Sequence, residues 1–252
     1  MTAARPARRG GVVLALLAGA TLAAWAVTVG EMRGMDAGPG TGLGAFGWFV
    51  GAWLWMTAAM MLPSTTPVTL LVARLRDLVD ACVFVAGYLA AWLAYGAAAY
   101  AVYRGVRGVA PSFVAWDRHG PWVAGGALVA AGLYQLTPLK TACLRHCRSP
   151  LGLLVRVRGG RLGALEAGVA HGAVCVGCCL GLMLALFALG VMSLVWMAAL
   201  AAAIVVEKTL PGGPKAAVAL AALLVGLGIW VGEAPASVPG LTQPRPAEMM
   251  GP

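Results

Sequence analysis

Long apolar blocks alternate along the chain with short polar breaks, and most of the blocks match the thickness of a lipid bilayer. The first runs over about residues 11–29, behind Arg5, Arg8 and Arg9. It resembles a signal peptide. It is long for one, however, and no sharp small-residue cleavage site ends it, so it reads as an uncleaved first span. A Gly-rich loop with Glu31, Arg33 and Asp36 follows. The second span is expected over about 43–62, where Pro63 stops it. After the polar residues Arg74, Arg76, Asp77 and Asp80, a third span covers about 82–103. The loop with Arg104, Arg107, Asp117, Arg118 and His119 leads to a short fourth span, about 121–137, ending at Thr137–Pro138.

A basic segment then carries Lys140, Arg145, Arg148, Arg156, Arg158 and Arg161. The apolar stretch at about 164–206 is twice the roughly 20 residues of one crossing, so Gly190 is expected to turn it into a fifth and a sixth span. Glu207–Lys208 and Pro211–Gly213 read as a loop, about 215–232 as a seventh span, and the Pro-rich end as a mobile tail. The expected fold is all-α, a polytopic membrane bundle of about seven helices. It forms one integral membrane domain over 1–252: a basic tail at about 1–10, the bundle at 11–232 and a flexible tail at 233–252. No internal repeat and no soluble domain stands out.

Composition supports this reading. Hydrophobic residues make up 61% of the chain and charged residues only 11%, against about 25% charged in a soluble domain. The net charge of +9 does not indicate nucleic acid, because the basic residues lie in short breaks between apolar blocks, as the positive-inside rule produces. With the N-terminus in the cytoplasm, the inside segments hold thirteen Lys and Arg residues and the outside segments hold Arg33, Arg104, Arg107, Arg118 and Arg245. That bias places the chain as a multi-pass protein of a bacterial-type inner (plasma) membrane, N-terminus cytoplasmic and C-terminus external.

Chemistry concentrates in HGAVCVGCC, His171 to Cys179. On a helix His171, Cys175 and Cys178 share one face, and Cys179 lies at its edge. An ionisable residue within a span is a functional candidate by default, and thiolate with imidazole suits Cu(I) or Zn rather than Mg or Ca. Two further segments reach the same depth. Cys143 and Cys147 are spaced i, i+4 in TPLKTACLRHCRSP, with His146 beside them. Met56 and Met60 are i, i+4 in WLWMTAAMMLPS, with Met61 adjoining. Each piece also has a plain reading. Cys is a small core residue, and Cys82 is read that way; the methionines serve equally as packing; His146 can face headgroups. Glu166 and Gln135 lie near span ends, where they reach water, and Glu166 can alternatively orient a ligating His.

WMTAAMMLPS, YQLTPLKTACLRHCRSP, HGAVCVGCCLGLM and WMAALAAAIVVEK, in that order over about 45–230, resemble the family of predicted metal-binding integral membrane proteins, a domain of unknown function associated with copper handling. The resemblance implies that Cys143, Cys147, His171, Cys175, Cys178 and Cys179 matter, and it leaves the metal and any direction of transport open.

Three functions follow. The first is a copper-binding membrane chaperone, or an assembly or export factor, with Cu(I) as the leading ion, zinc as the alternative, and a copper-donor or copper-acceptor protein as partner. The second is a membrane thiol oxidoreductase using the Cys175/Cys178 C-x-x-C, although a pair inside a continuous helix is poorly placed to attack a protein substrate. The third is a structural membrane subunit with incidental thiols. No phosphate-cradling loop, P-type phosphorylation motif or Ser–His–acid set points to an enzyme.

Overall fold

The computed structural model describes residues 4–33, 42–109, 116, 118–149, 160–210, 212–239 and 241. Asp36, Asp117, Arg156, Arg158, Pro211, Arg245 and the tail from 242 onward lie outside the described residues. The rest forms eight α-helices: α1 Ala4–Met32, α2 Phe46–Leu75, α3 Leu78–Val109, α4 Gly120–Gln135, α5 Pro138–Arg148, α6 Gly160–Leu189, α7 Leu194–Thr209 and α8 Gly213–Glu233. A single 3-10 turn, Pro235–Ser237, follows. The all-α expectation holds.

Among the described residues five helices are long and apolar enough to cross a membrane: Arg9–Met32, Phe46–Leu75, Leu78–Val109, Gly160–Leu189 and Lys215–Glu233. Six qualify if α4 and α5, which meet at a 62° bend, make one crossing. The expected seven are therefore not all present as full-length spans. The shortfall lies in α4 and α7, each of 16 residues, or about 24 Å at 1.5 Å per residue.

Two local expectations fare differently. Pro63 does not end the second helix; α2 continues through Pro63 and Pro67 to Leu75. The ring removes one amide donor, but nearby hydroxyls supply bonds to the same stretch of backbone, Ser64 Oγ to the Met61 carbonyl at 2.9 Å and Thr66 Oγ1 to the Leu62 carbonyl at 3.0 Å. Buried Leu62, Thr65, Val68 and Thr69 hold the remaining turns against their neighbours, and packing of this kind overrides local propensity. Gly190 does make the expected turn. Its φ of +106° is costly for any residue with a Cβ, and it separates α6 from an antiparallel α7.

The helices differ in length, and this positions the site. α2, α3 and α6 have 30, 32 and 30 residues, about 45–48 Å each. Their ends meet at one pole: Arg9 donates to the Arg76 carbonyl at 3.2 Å, and Arg76 donates to the Gly160 carbonyl at 2.9 Å and to Asp80 at 3.1 Å. α3 runs along α6 and is almost in backbone contact with it; a Cβ on Gly168 would strike the Phe84 carbonyl, and one on Gly87 the Leu165 carbonyl. The short helices α4 and α7 start from the opposite pole and stop halfway along α6. Tyr134, near the end of α4, donates to the Gly177 carbonyl at 2.6 Å. There the chain bends at Thr137, whose hydroxyl caps α5 by accepting from the Lys140 amide at 3.2 Å, and α5 lies against the middle of α6.

Glu207 and Lys208 belong to the last turn of α7 rather than to a loop. α5 is fixed to that turn by a buried ion pair, Lys140 Nζ to Glu207 Oε2 at 2.7 Å, with side chains 1% and 3% exposed. Arg148 adds bonds to the carbonyls of Glu207 and Leu210, both at 2.6 Å. Gln135 does not reach water. It is buried, and neither side-chain atom has a hydrogen-bond partner among the described residues.

Candidate metal centre

Halfway along α6 the sequence changes from small residues to thiols, and the ends of α5 and α7 face that level. Cys175, Cys178 and Cys179 are buried on α6, each 1% exposed. Cys147, in the last turn of α5, is half-buried and brings its sulfur to 3.6 Å from that of Cys178. The sulfurs of Cys147, Cys175 and Cys178 all lie within 4.8 Å of one another. Three sulfurs around one ion, each at about 2.3 Å from it, stand about 4.0 Å apart. The three thiols are thus already spaced to share a single soft ion with little movement. Among the described residues no carboxylate belongs to the group, which favours a thiophilic ion over Mg or Ca.

Polar groups close around Cys175. Lys208 Nζ lies 2.8 Å from its sulfur and 3.3 Å from Ser64 Oγ. The Tyr88 hydroxyl is 3.0 Å from the same sulfur, and either atom can donate. The Cys178 thiol donates to the Cys175 carbonyl at 3.2 Å. Five helices therefore meet here: α2 through Ser64, α3 through Tyr88, α5 through Cys147, α6 through its thiols and α7 through Lys208. Buried thiolate charge is costly without compensation, and the ammonium of Lys208 is the compensating group at this level.

The other residues expected at the site take different places. Cys179 adjoins the trio, its sulfur 3.6 Å from that of Cys178. Cys143, one turn before Cys147, packs on Gly177, where an added Cβ would stand 2.9 Å from its sulfur. It shares the α5–α6 seam but not the group of three. His171 is buried on the α6 face turned to α3, between the rings of Phe84 and Tyr88 with both centroids 5.8 Å away. It too stands outside the group of three, connected to it through Tyr88. His146 is exposed on α5, and Glu166 is exposed on α6. Met56 and Met60, each 1% exposed, and Met61 are buried in the same apolar core as Cys175, Cys178 and Cys179. Cys82 is exposed on α3, away from these groups.

Spacing alone pairs Cys175 with Cys178 and Cys143 with Cys147; which member of the second pair joins the first, and which polar groups surround them, it does not tell. Beside Glu207 and Pro211, Lys208 reads as part of a loop, and no sequence signal marks Tyr88 or Ser64. A cue did exist for Lys208: a Glu-Lys pair ending an apolar run too short to cross a bilayer alone.

A family model described as PpoB2: Copper chaperone matches residues 50–231, from the first turns of α2 into the last turn of α8. No curated protein and no solved structure matches the chain.

Proposed function

We propose, for a chain that belongs to the PpoB2 copper chaperone family, that it works within a bacterial-type inner membrane, holding one Cu(I) ion on Cys147, Cys175 and Cys178 and passing it to an acceptor protein. The observation that carries this reading is the approach of three sulfurs from two helices to within 4.8 Å of one another. Cu(I) accepts two or three soft ligands, whereas a structural zinc site takes four; the trio suits the monovalent ion better. Cys147 is the half-buried member of the trio and sits beside exposed His146, so ligand exchange with a donor or acceptor starts at the end of α5. Cys179, whose sulfur is 3.6 Å from that of Cys178, is the next soft donor for a moving ion; Cys143 on the same α5–α6 seam, His171, and Met56 and Met60 in the same core extend the set. The N-terminus is cytoplasmic and the C-terminus external, as the charge bias supports.

Element-resolved metal content of the anaerobically purified full chain tests the function. Wild type is expected to retain about one copper per chain, and Cys175→Ser with Cys178→Ser to retain almost none. Equal copper in both proteins would remove the assignment. The 3.6 Å approach of Cys147 and Cys178 favours one competing reading, thiol–disulfide exchange. Trapping of the thiols under oxidising and reducing conditions separates the two: a chaperone keeps both thiols alkylatable after metal removal, whereas an oxidoreductase cycles them through a disulfide.

A further inference from the structure

Lys208 is a cation aimed at sulfur. Its Nζ lies 2.8 Å from the Cys175 sulfur and 3.3 Å from the Ser64 hydroxyl. Among the described residues no carboxylate lies within salt-bridge distance of it, and neighbouring Glu207 is turned away to Lys140. The last turn of α7 is held in place by that pair and by Arg148, so the position of the ammonium is set by the fold and not by the thiols alone. A fixed positive charge therefore stands beside whatever the trio binds.

We propose that Lys208 is a specificity-determining residue that holds the trio to a monovalent soft cation and against divalent ones. The proposal rests on the reading of Cys147, Cys175 and Cys178 as the copper-holding set. Its physics is charge balance at short range. Three thiolates around Cu(I) leave a net charge of −2, and the same thiolates around Zn(II) leave −1. A neighbouring ammonium stabilises the first complex about twice as strongly as the second, because the Coulomb energy scales with the product of the charges. The low dielectric of a buried site enlarges that difference. The charge effect, rather than a missing fourth donor, sets the preference, since the Cys179 sulfur stands 3.6 Å from that of Cys178.

The test is a competition between Cu(I) and Zn(II) for the purified full chain. Both metals are presented together under anaerobic, chelator-buffered conditions, and the bound Cu:Zn ratio is read by element-resolved mass spectrometry. The ratio is read on the folded, monodisperse fraction isolated by size exclusion, because the thiols of unfolded chains also bind both metals. Lys208→Leu, which removes the charge and brings no donor atom, is expected to lower the ratio by about tenfold or more. Lys208→Arg, which keeps the charge, is expected to stay within about threefold of wild type. A Lys208→Leu ratio equal to that of wild type overturns the proposal while leaving copper binding intact, as does an arginine variant that falls as far as the leucine one. A wild-type chain that binds no Cu(I) overturns the reading of the trio itself, and this inference with it.

Discussion

Replacing Lys140 with Met isolates the contact that docks α5 onto α7. The Lys140–Glu207 pair is 2.7 Å long with its side chains 1% and 3% exposed, so solvent hardly screens it. At an effective dielectric of about 20 the attraction is about 6 kcal/mol, most of it offset by the cost of taking both charges out of water. Removing one partner leaves that cost without the attraction. The Glu207 carboxylate then sits buried with one oxygen, Oε1, that already has no partner. The expected destabilisation is about 3–5 kcal/mol, or roughly 6–20 °C in Tm on the scaling for a chain of 150–250 residues. Because Cys147 rides on the same short helix, its alkylation by a maleimide, read by peptide mapping, is expected to rise in parallel. The double variant Lys140→Met with Glu207→Met exchanges the pair for apolar side chains of similar length and is expected to recover most of the Tm. A single variant with unchanged Tm and unchanged Cys147 labelling would refute the view that this pair positions α5. So would a double variant as unstable as the single.

Three further outcomes follow from the same geometry. Cys147→Ser is expected to reduce copper affinity about as much as Cys178→Ser, with little further loss in the double variant, because residues acting as one unit are non-additive; Cys143→Ser, on Gly177 and outside the trio, is expected to cost much less, and equal losses from Cys143 and Cys147 in a Cu(I) competition titration would return Cys143 to the site. Met56→Leu with Met60→Leu is expected to cost less than about 1.5 kcal/mol in stability while weakening Cu(I) retention, and an unchanged affinity would leave both residues as packing only. Gly168→Ala is expected to destabilise by about 1–3 kcal/mol or more through its clash with the Phe84 carbonyl, whereas Gly226→Ala, with nothing within 4 Å of the added methyl, is expected to be near neutral; thermal unfolding of the two variants side by side checks the α3–α6 seam.

The all-α character and the shared face of Cys175 and Cys178 are legible in the sequence, but the charged network around the thiols is not. Block length and the Gly190 turn follow from hydrophobic patterning, a local property of the chain. The spacing of Cys175 and Cys178 puts them on one face for the same reason. Pro63 reads as a stop because a proline's local cost says nothing of the packing that keeps α2 helical on either side of it. Glu207 and Lys208 read as a loop because an isolated charge pair marks a chain break equally well as a buried contact; the partners Lys140 and Cys175 lie 67 and 33 residues away. His171 shares a face with Cys175, as the i, i+4 spacing predicts, and both meet Tyr88; the rise of one turn sets the imidazole between the rings of Phe84 and Tyr88 and outside the group of three. Cys143 and Cys147 share a face at i, i+4, but the tilt of α5 across α6 lets only the second approach Cys178.

X-ray absorption at the copper edge of the anaerobically loaded full chain tests the central claim most directly. The account predicts one Cu(I) per chain with three sulfur neighbours at about 2.3 Å, and two in Cys147→Ser. A first shell dominated by nitrogen or oxygen, or a sulfur count unchanged by Cys147→Ser, would contradict it.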